Sequence, residues 1–448
     1  MPLRTYHIAT FGCQMNAYDS EAMAGVLEAR GLVPVATAQG DGAAPENDAD
    51  VLLLNTCIVR ASAEQRALGR IDSLKALRAA RPDRILGVCG CLAQRDADAL
   101  LDRAPHLDLV LGTRAIPRLP ELLDRIERGE GPIACVEDFD EPYATGAPMV
   151  RRSGLRALVT IMQGCDNWCS YCIVPAVRGR ERSRPLEAIL DEVRALVAAG
   201  CREVTLVGQN VNAWRGEESG DFADVLARVA AIDGLWRIRY ITSHPRDAGP
   251  RQIDAVARLA PRVCDHFHLP VQAGSNDVLR RMNRGYTREH YLSLVAALRD
   301  RLPDASITTD LIVGFPGESE ADFAQTLDLV ERVRFDAAFT FFYNVRTGTR
   351  AAEWPDDVPL AVKKERLARL IRLQEAISLE KNQALVGRTL EVLVEGPARR
   401  NREAHGNLVA RTTSDKCVVF AGDESLVGQL AHVRIVEAAG HTLLGERV

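Results

Sequence analysis

The sequence predicts an α/β protein in three parts: an N-terminal doubly wound parallel-sheet domain, a central (β/α) partial barrel and a small C-terminal antiparallel β-barrel. Three observations lead there. From residue 4 to about 128, short apolar runs alternate with amphipathic segments, the pattern of parallel strands joined by crossover helices. A second series of the same kind begins at Ala157. After Gly387 the texture changes to short strands separated by glycines and polar turns, as in a small barrel.

Taken in order, Tyr6, Ile8 and Ala9 mark a strand, and Asp19 and Ser20 offer caps for a helix running to about Arg30. Residues 51–54 are wholly apolar and read as a buried strand, followed by a helix over about 62–80. Strands at 85–88 and 107–111 follow, then a helix after Pro117. Gly, Pro and acidic residues dominate 130–153, which reads as a linker. The first domain is therefore taken as 4–128 and the linker as 129–150. Further strands are expected at 157–161, 204–207, 238–241, 264–269, 307–313 and 338–342, with helices between them such as 288–301 and 320–333. About six βα units make a partial or full barrel, whose site belongs at the C-terminal ends of the strands. One long amphipathic helix spans 363 to about 384, so the central domain is taken as 151–381. The last domain, 384–448, carries strands at 389–394, 408–410, 417–420 and 431–436.

No apolar run approaches the ~18 residues needed to span a bilayer, and the N-terminus lacks the pattern of a secretory signal. Eleven cysteines, an odd number in a long chain of this kind, argue for thiols and metal ligands in a reducing cytoplasm rather than for disulfides. The net charge of −5 excludes a basic polyelectrolyte. Basic residues nonetheless cluster: seven arginines against two acids from Arg151 to Arg184, and ten Lys/Arg against five Glu from Lys363 to Arg402. Such patches suit a phosphate backbone, although solvated helix faces give the same pattern.

The most informative stretch is Cys165-Asp166-Asn167-Trp168-Cys169-Ser170-Tyr171-Cys172. Three thiolates at C-x3-C-x2-C spacing can hold three irons of a cubane cluster and leave the fourth open. A structural zinc site would want a fourth ligand, and none lies near in sequence. The spacing resembles that of the radical S-adenosylmethionine (SAM) enzymes, as does the aromatic Tyr171 before the last cysteine. That resemblance implies a [4Fe-4S] cluster whose open iron chelates SAM and whose electron cleaves it to a 5′-deoxyadenosyl radical. The loop follows the first barrel strand and so falls at the mouth.

Three more cysteines, Cys13, Cys57 and Cys91, sit just after predicted strands of the first domain. In a parallel sheet such positions share one rim, and there they suit a second, three-thiolate cluster. Packing as small buried hydrophobes is an equal alternative on spacing alone. Cys89 competes with Cys91; Cys91 is preferred because it falls in the turn and Cys89 in the strand. Cys135, Cys201, Cys264 and Cys417 have no partner pattern and read as packing residues.

The chain as a whole resembles the tRNA methylthiotransferases. The markers are Phe-Gly-Cys-Gln-Met-Asn at 11–16, Asn-Thr-Cys at 55–57, Gly-Cys-Leu-Ala-Gln-Arg at 90–95, Gly-Cys-Asp-Asn-Trp-Cys-Ser-Tyr-Cys at 164–172 and Arg-Gly-Arg-Glu-Arg-Ser-Arg-Pro at 178–185. Gly-Gln-Asn-Val-Asn at 208–212, Thr-Ser-His-Pro at 242–245, His-Leu-Pro-Val-Gln at 268–272 and Gly-Phe-Pro-Gly-Glu at 314–318 complete the set. The last domain is similar to the TRAM RNA-binding module, with 406–411 departing from its usual Gly-Arg-Thr run.

The resemblance implies two [4Fe-4S] clusters, one on Cys165, Cys169 and Cys172 that binds SAM and an auxiliary one on Cys13, Cys57 and Cys91. It implies methylthiolation at C2 of an N6-isopentenylated adenosine beside the anticodon of a tRNA, with one SAM as methyl donor and one as radical source. Sister enzymes act on a ribosomal-protein aspartate or on threonylcarbamoyl-adenosine. They usually show Pro-Lys or Lys-Val after the first cysteine, where this chain has Gln14-Met15. An external flavodoxin- or ferredoxin-like electron donor, a sulfur supply and a monomeric state go with the assignment. Gly208, Gln209, Asn210, Ser243, Gln272, Gly314 and Gly317 stand at strand ends and are candidates for contact with the cofactor, with turn formation the alternative for the glycines. His244, His266 and His268 are divided between structural and substrate roles. Arg178, Arg180, Arg182 and Arg184 are candidates for tRNA phosphates.

Overall fold

The structure, a computed structural model, describes residues 3–35, 45–58, 61–136, 149–150, 154–216, 220–398 and 406–448, without the side chains of 45 and 61–63. Arg151, Arg152, Arg399, Arg400 and Arg402 of the basic stretches, and most of the expected linker, lie outside these residues. The chain forms two compact units: 1–153 with 162–166 and 172–184, and 154–161 with 167–171 and 185–448. These cut the chain differently from the expected boundaries, because two pieces of the central segment pack with the first unit.

In the first unit the chain runs β1 (Thr5–Phe11), α1 (Gln14–Ala29), β2 (Val33–Pro34), β3 (Val51–Thr56), α2 (Ala61–Ala80), β4 (Ile85–Gly90), α3 (Cys91–Arg103), β5 (Leu109–Leu111), α4 (Leu119–Glu127) and β6 (Ile133–Cys135). The strands form one parallel sheet in the order β2-β1-β3-β4-β5-β6. Pleating sends alternate residues to opposite faces. Val51 and Leu53 therefore join one core with Met23, Leu27, Leu122 and Leu123, while Leu52 and Leu54 join another with Ile71, Leu74 and Leu92. Burial on both faces is why these strands read as continuous apolar runs.

Two expectations need correction. Ile133–Cys135, placed in the linker, is an edge strand on β5; its shortness and the adjoining Gly131-Pro132 hid it. Helix α1 begins at Gln14 with Cys13 as its N-cap, not at Asp19-Ser20. Asp19 and Ser20 are buried within the helix, where tertiary partners take up the side chains that would otherwise cap.

The second unit opens with β7 (Arg156–Thr160). Returning to the first, β8 (Met162–Gln163), α5 (Val174–Arg178) and β9 (Arg182–Ser183) follow, with β8 and β9 paired antiparallel and Ile173 and Val177 packed into its second core. The second unit continues α6 (Leu186–Ala198), β10 (Glu203–Val207), α7 (Phe222–Ala230), β11 (Arg237–Tyr240), α8 (Pro250–Leu259), β12 (His266–His268), α9 (Asn276–Arg281), α10 (Arg288–Arg301), β13 (Ser306–Val313), α11 (Glu320–Val333), β14 (Ala337–Phe342) and α12 (Leu360–Gln383). Strands β7, β10 and β11 form one parallel sheet and β12, β13 and β14 another, and a single bridge from Ile238 to Val263 joins them into a six-stranded partial barrel. Beyond it β15 (Thr389–Pro397), β16 (Leu408–Thr412), β17 (Cys417–Phe420), β18 (Leu430–Ala439) and β19 (Thr442–Arg447) close a small barrel in the order β15-β16-β17-β19-β18 around Val394, Leu408, Phe420 and Val433. The small barrel is docked on the larger one. Buried Arg237 donates to the Arg411 carbonyl (2.6 Å) and Arg239 to that of Thr412 (2.7 Å).

Candidate functional site

The C-terminal ends of β1, β3 and β4 lie level. Phe11 pairs with Thr56 and Thr56 with Gly90. Cys57 and Cys91 are thus the first residues past two neighbouring strands, and Cys13 the second residue past the third. Adjacent strands lie about 4.8 Å apart, so the three thiols share one short stretch of rim. The chain winds outward in opposite directions from β1 and β3, and open α/β sheets form their ligand crevice at that switch point.

Side-chain interactions link the three positions. The Cys13 thiol is hydrogen-bonded to Cys57, which, helped by the nearby Arg178 cation, brings its pKa down to about 6. Its Sγ also reaches Asn16 Oδ1 (3.4 Å). Burial pushes the Cys91 thiol up, and Arg178 opposes that shift. Asn16 and Asn55 lock the rim together: Asn16 Nδ2 donates to Asn55 Oδ1 (3.1 Å), and Asn55 Nδ2 to the Asn16 carbonyl (2.8 Å) and Ser20 Oγ (2.9 Å). Gly90, at φ +92°, turns the chain into Cys91; a Cβ there would stand 2.4 Å from Asn55 Oδ1 and 2.6 Å from the Thr56 carbonyl. Cys89 points to the opposite face, into the core with Ile85 and Leu109, where burial raises its thiol further. Three thiols on one rim, one of them drawn toward thiolate, are the donor set that a cubane iron–sulfur cluster takes.

Arg178 belongs to this rim. It is buried, and its Nη2 donates to Asp19 Oδ2 at 2.7 Å. Burial opposes both charges. Asp19 is pushed up despite its partner, whereas Asp19, Cys91 and Cys13 hold the Arg178 cation well above the ordinary guanidinium range. Arg178 Nη1 is buried with no hydrogen-bond partner among the described residues.

The Cys165–Cys172 loop is fixed within each unit separately. In the first, the Cys165 N–H donates to the Gly179 carbonyl (3.2 Å), and Arg180 forks onto Asp166 (2.7 and 3.1 Å). Gly164, at φ +73°, lies so close that a Cβ would sit 1.9 Å from the Arg180 carbonyl. In the second, Ser170 N–H donates to the Met282 carbonyl (3.0 Å) and Ser170 Oγ to that of Arg281 (2.8 Å), while Asn283 Nδ2 holds the Trp168 carbonyl (3.0 Å). Buried Cys169 accepts from Arg284.

At the mouth of the partial barrel, buried Asn210 accepts from the His244 N–H (3.1 Å) and donates to Asp247 (2.6 Å), tying the ends of β10 and β11. His244 Nδ1 accepts from the Arg246 N–H (3.2 Å), which leaves the proton on Nε2. Burial, and then Arg284 and Arg246, hold this imidazole neutral with a pKa of about 2. His244 Nε2 and Ser243 Oγ are both buried without a hydrogen-bond partner among the described residues. Gln272, at φ +73°, bridges to Leu311 in β13. The N–H groups of Gly314 and Gly317 are engaged by Glu318 (2.6 Å) and Asp357 (2.7 Å), a turn role for both glycines. His266 and His268 share Thr308 Oγ1 (2.8 and 3.0 Å).

Residues 159–330 match the Radical SAM superfamily, residues 5–112 a family described as uncharacterized protein family UPF0004, and residues 383–448 the TRAM domain. The chain is 50% identical over 441 residues to a tRNA-2-methylthio-N(6)-dimethylallyladenosine synthase of Carboxydothermus hydrogenoformans, covering 98% of each. It is also 50% identical over 450 residues to the synthase of the same name from Moorella thermoacetica, covering 99% of this chain and 98% of that one. The chain belongs to the tRNA-2-methylthio-N(6)-dimethylallyladenosine synthase family. Among solved structures, the radical S-adenosylmethionine methyltransferase TsrM from Kitasatospora setae aligns with a TM-score of 0.57 at 14% identity, over 78% of this chain and 77% of that one, a likeness of fold.

In this synthase-family chain the four arginines after the cysteine loop do not form one surface. Arg178 and Arg184 are buried, which removes them from any phosphate-binding face, Arg180 is exposed but paired with Asp166, and Arg182 is half-buried in β9. Spacing every second residue along an arginine-rich run gave no means of telling these environments apart. The sequence reading took Asp19 only as a helix cap and did not single out Asn16, Asn55 or Arg284 as functional; the two asparagines stand inside the cysteine motifs, and that position was the signal available.

Proposed function

We infer that this chain methylthiolates C2 of N6-isopentenyladenosine in tRNA, as a radical SAM transferase that uses SAM and two [4Fe-4S] clusters. The observation that carries the reading is the register of β1, β3 and β4, which brings Cys13, Cys57 and Cys91 to one rim in a chain that also has the C-x3-C-x2-C loop. Cys13, Cys57 and Cys91 hold the auxiliary cluster, and Cys165, Cys169 and Cys172 hold the one that binds SAM. When bound, these groups supply the one-electron chemistry and the sulfur that an inert C2–H bond demands.

The chain's own residues do the rest. Arg178, oriented by Asp19, places a fixed cation beside two auxiliary thiols and favours their thiolate form. The Asn16–Asn55 pair fixes the strand ends that carry them. Ser243 Oγ and His244 Nε2 offer donors to a bound ligand at the barrel mouth, and Asn210 holds that corner rigid. The TRAM domain binds tRNA, and the target adenosine, in an anticodon loop, leaves its stack at less cost than in a duplex. The protein works as a monomer in the reducing cytoplasm, fed by a flavodoxin- or ferredoxin-like reductant and a sulfur supply. No helix among the described residues is long and apolar enough to cross a membrane.

Nucleoside mass spectrometry of tRNA from a deletion strain tests the assignment. The 2-methylthio-isopentenyl nucleoside should vanish, with the isopentenyl precursor accumulating, and return on complementation. An unchanged profile, or loss of the threonylcarbamoyl derivative instead, would reject it.

A further inference from the structure

Arg284 lies under the cysteine loop and has no part in the chemistry described so far. It is 4% exposed, and every nitrogen of its guanidinium is engaged. Nε donates to Tyr286 Oη (3.1 Å), Nη2 to the Pro270 carbonyl (2.5 Å), and Nη1 to Cys169 Sγ (3.2 Å) and Tyr171 Oη (3.4 Å). Tyr286 Oη in turn donates to the Val271 carbonyl (2.9 Å). Oxygen acceptors thus clamp the side chain from three directions, and one Nη1 N–H meets a sulfur. The same turn grips the loop backbone through Arg281, Met282 and Asn283, so the approach of Nη1 to Sγ does not depend on a flexible stem.

A guanidinium does not deprotonate in proteins. Its N–H bond to a thiolate is therefore charge-assisted under all working conditions. Hydrogen bonds to ligand sulfurs are among the levers that set iron–sulfur potentials. Adding an electron makes the cluster more negative and the sulfur a better acceptor, so the bond strengthens on reduction. We propose that Arg284 is a positioning residue that raises the reduction potential of the SAM-binding cluster through its Nη1–H···Sγ bond to Cys169. The proposal rests on the assignment of Cys169 as a cluster ligand.

The test uses full-length protein carrying C13A, C57A and C91A, reconstituted anaerobically so that only the loop cluster remains. EPR-monitored titration should place the midpoint of R284Q at a more negative potential than the parent, with R284K between them, at equal iron content. In the parent labelled with [15N]arginine, pulsed EPR of the reduced cluster without SAM should show a weakly coupled 15N that R284K abolishes. An unshifted midpoint in iron-replete R284Q, or no 15N coupling in the parent, overturns the proposal. If R284Q takes up no iron, the 15N measurement on the parent decides alone. C169A is the separate control: undiminished iron there defeats the ligand assignment, and the proposal with it.

Discussion

At the residue scale, the Arg178–Asp19 pair is the feature with most at stake. Both side chains are buried, so removing one partner strands the other charge or forces it to neutralise. Breaking such a pair costs about 3–5 kcal/mol. R178M should therefore lower the stability of the apo protein by about that much in denaturant titration, with R178M/D19N recovering most of it. A loss under about 1 kcal/mol would mean that Asp19 is not buried as described. Cys89 and Cys91 make a second contrast two residues apart. C91A should lose about half of the iron, one of two cubanes. C89A should keep its iron and cost about 1 kcal/mol for a small core void. The placement of Cys89 within a strand and of Cys91 just past its end was legible because strand and strand end differ in sequence texture. The role of Arg178 was not, since a surface arginine and a buried one look alike until their partners, here 159 positions apart, are known.

At the scale of elements, what could be read was whatever carries a strong local signal. The helices Arg288–Arg301 and Glu320–Val333 have the bounds that the sequence suggests, because Thr287 and Ser319 cap them through hydrogen bonds to the third residue of each helix. The pieces missed were those that tertiary pairing makes: β6, the two-residue strands β2, β8 and β9, and β19, which closes the small barrel by parallel pairing with β17. The β8–β9 pairing matters because the close approach of the chain beside it needs Gly164. G164A puts a Cβ into the Arg180 carbonyl at a left-handed φ, a strain of about 1–3 kcal/mol. The expected result is selective: iron–sulfur absorbance and EPR signal of the loop cluster fall while those of the auxiliary cluster persist. Equal loss of both signals would instead point to general unfolding.

At the scale of the whole molecule, the small barrel docks on the large one, a contact that no sequence pattern announces. It depends on charged side chains in a buried setting: Arg237 and Arg239 reaching the Thr412 turn, Asp336 pairing with Lys381 and Lys416, and His266 facing Asp415 at 4.0 Å. Around His266 stand Asp415, His268, Arg239 and Asp336. Burial drives its pKa to about 4, with His268 and Arg239 acting the same way and the two aspartates opposing. The unfolded imidazole titrates near its ordinary value of about 6.5. Below that value the unfolded chain therefore binds a proton that the folded one refuses. Stability should fall as the pH drops from about 6.5 toward 4 and level off beneath, by about 3 kcal/mol from this one group. H266Q keeps a partner for Thr308 and cannot charge, so its denaturation midpoints at pH 7, 5.5 and 4.5 should lack that part of the decline. Parallel pH curves for H266Q and the parent would show that the acid sensitivity of this interface arises from other groups.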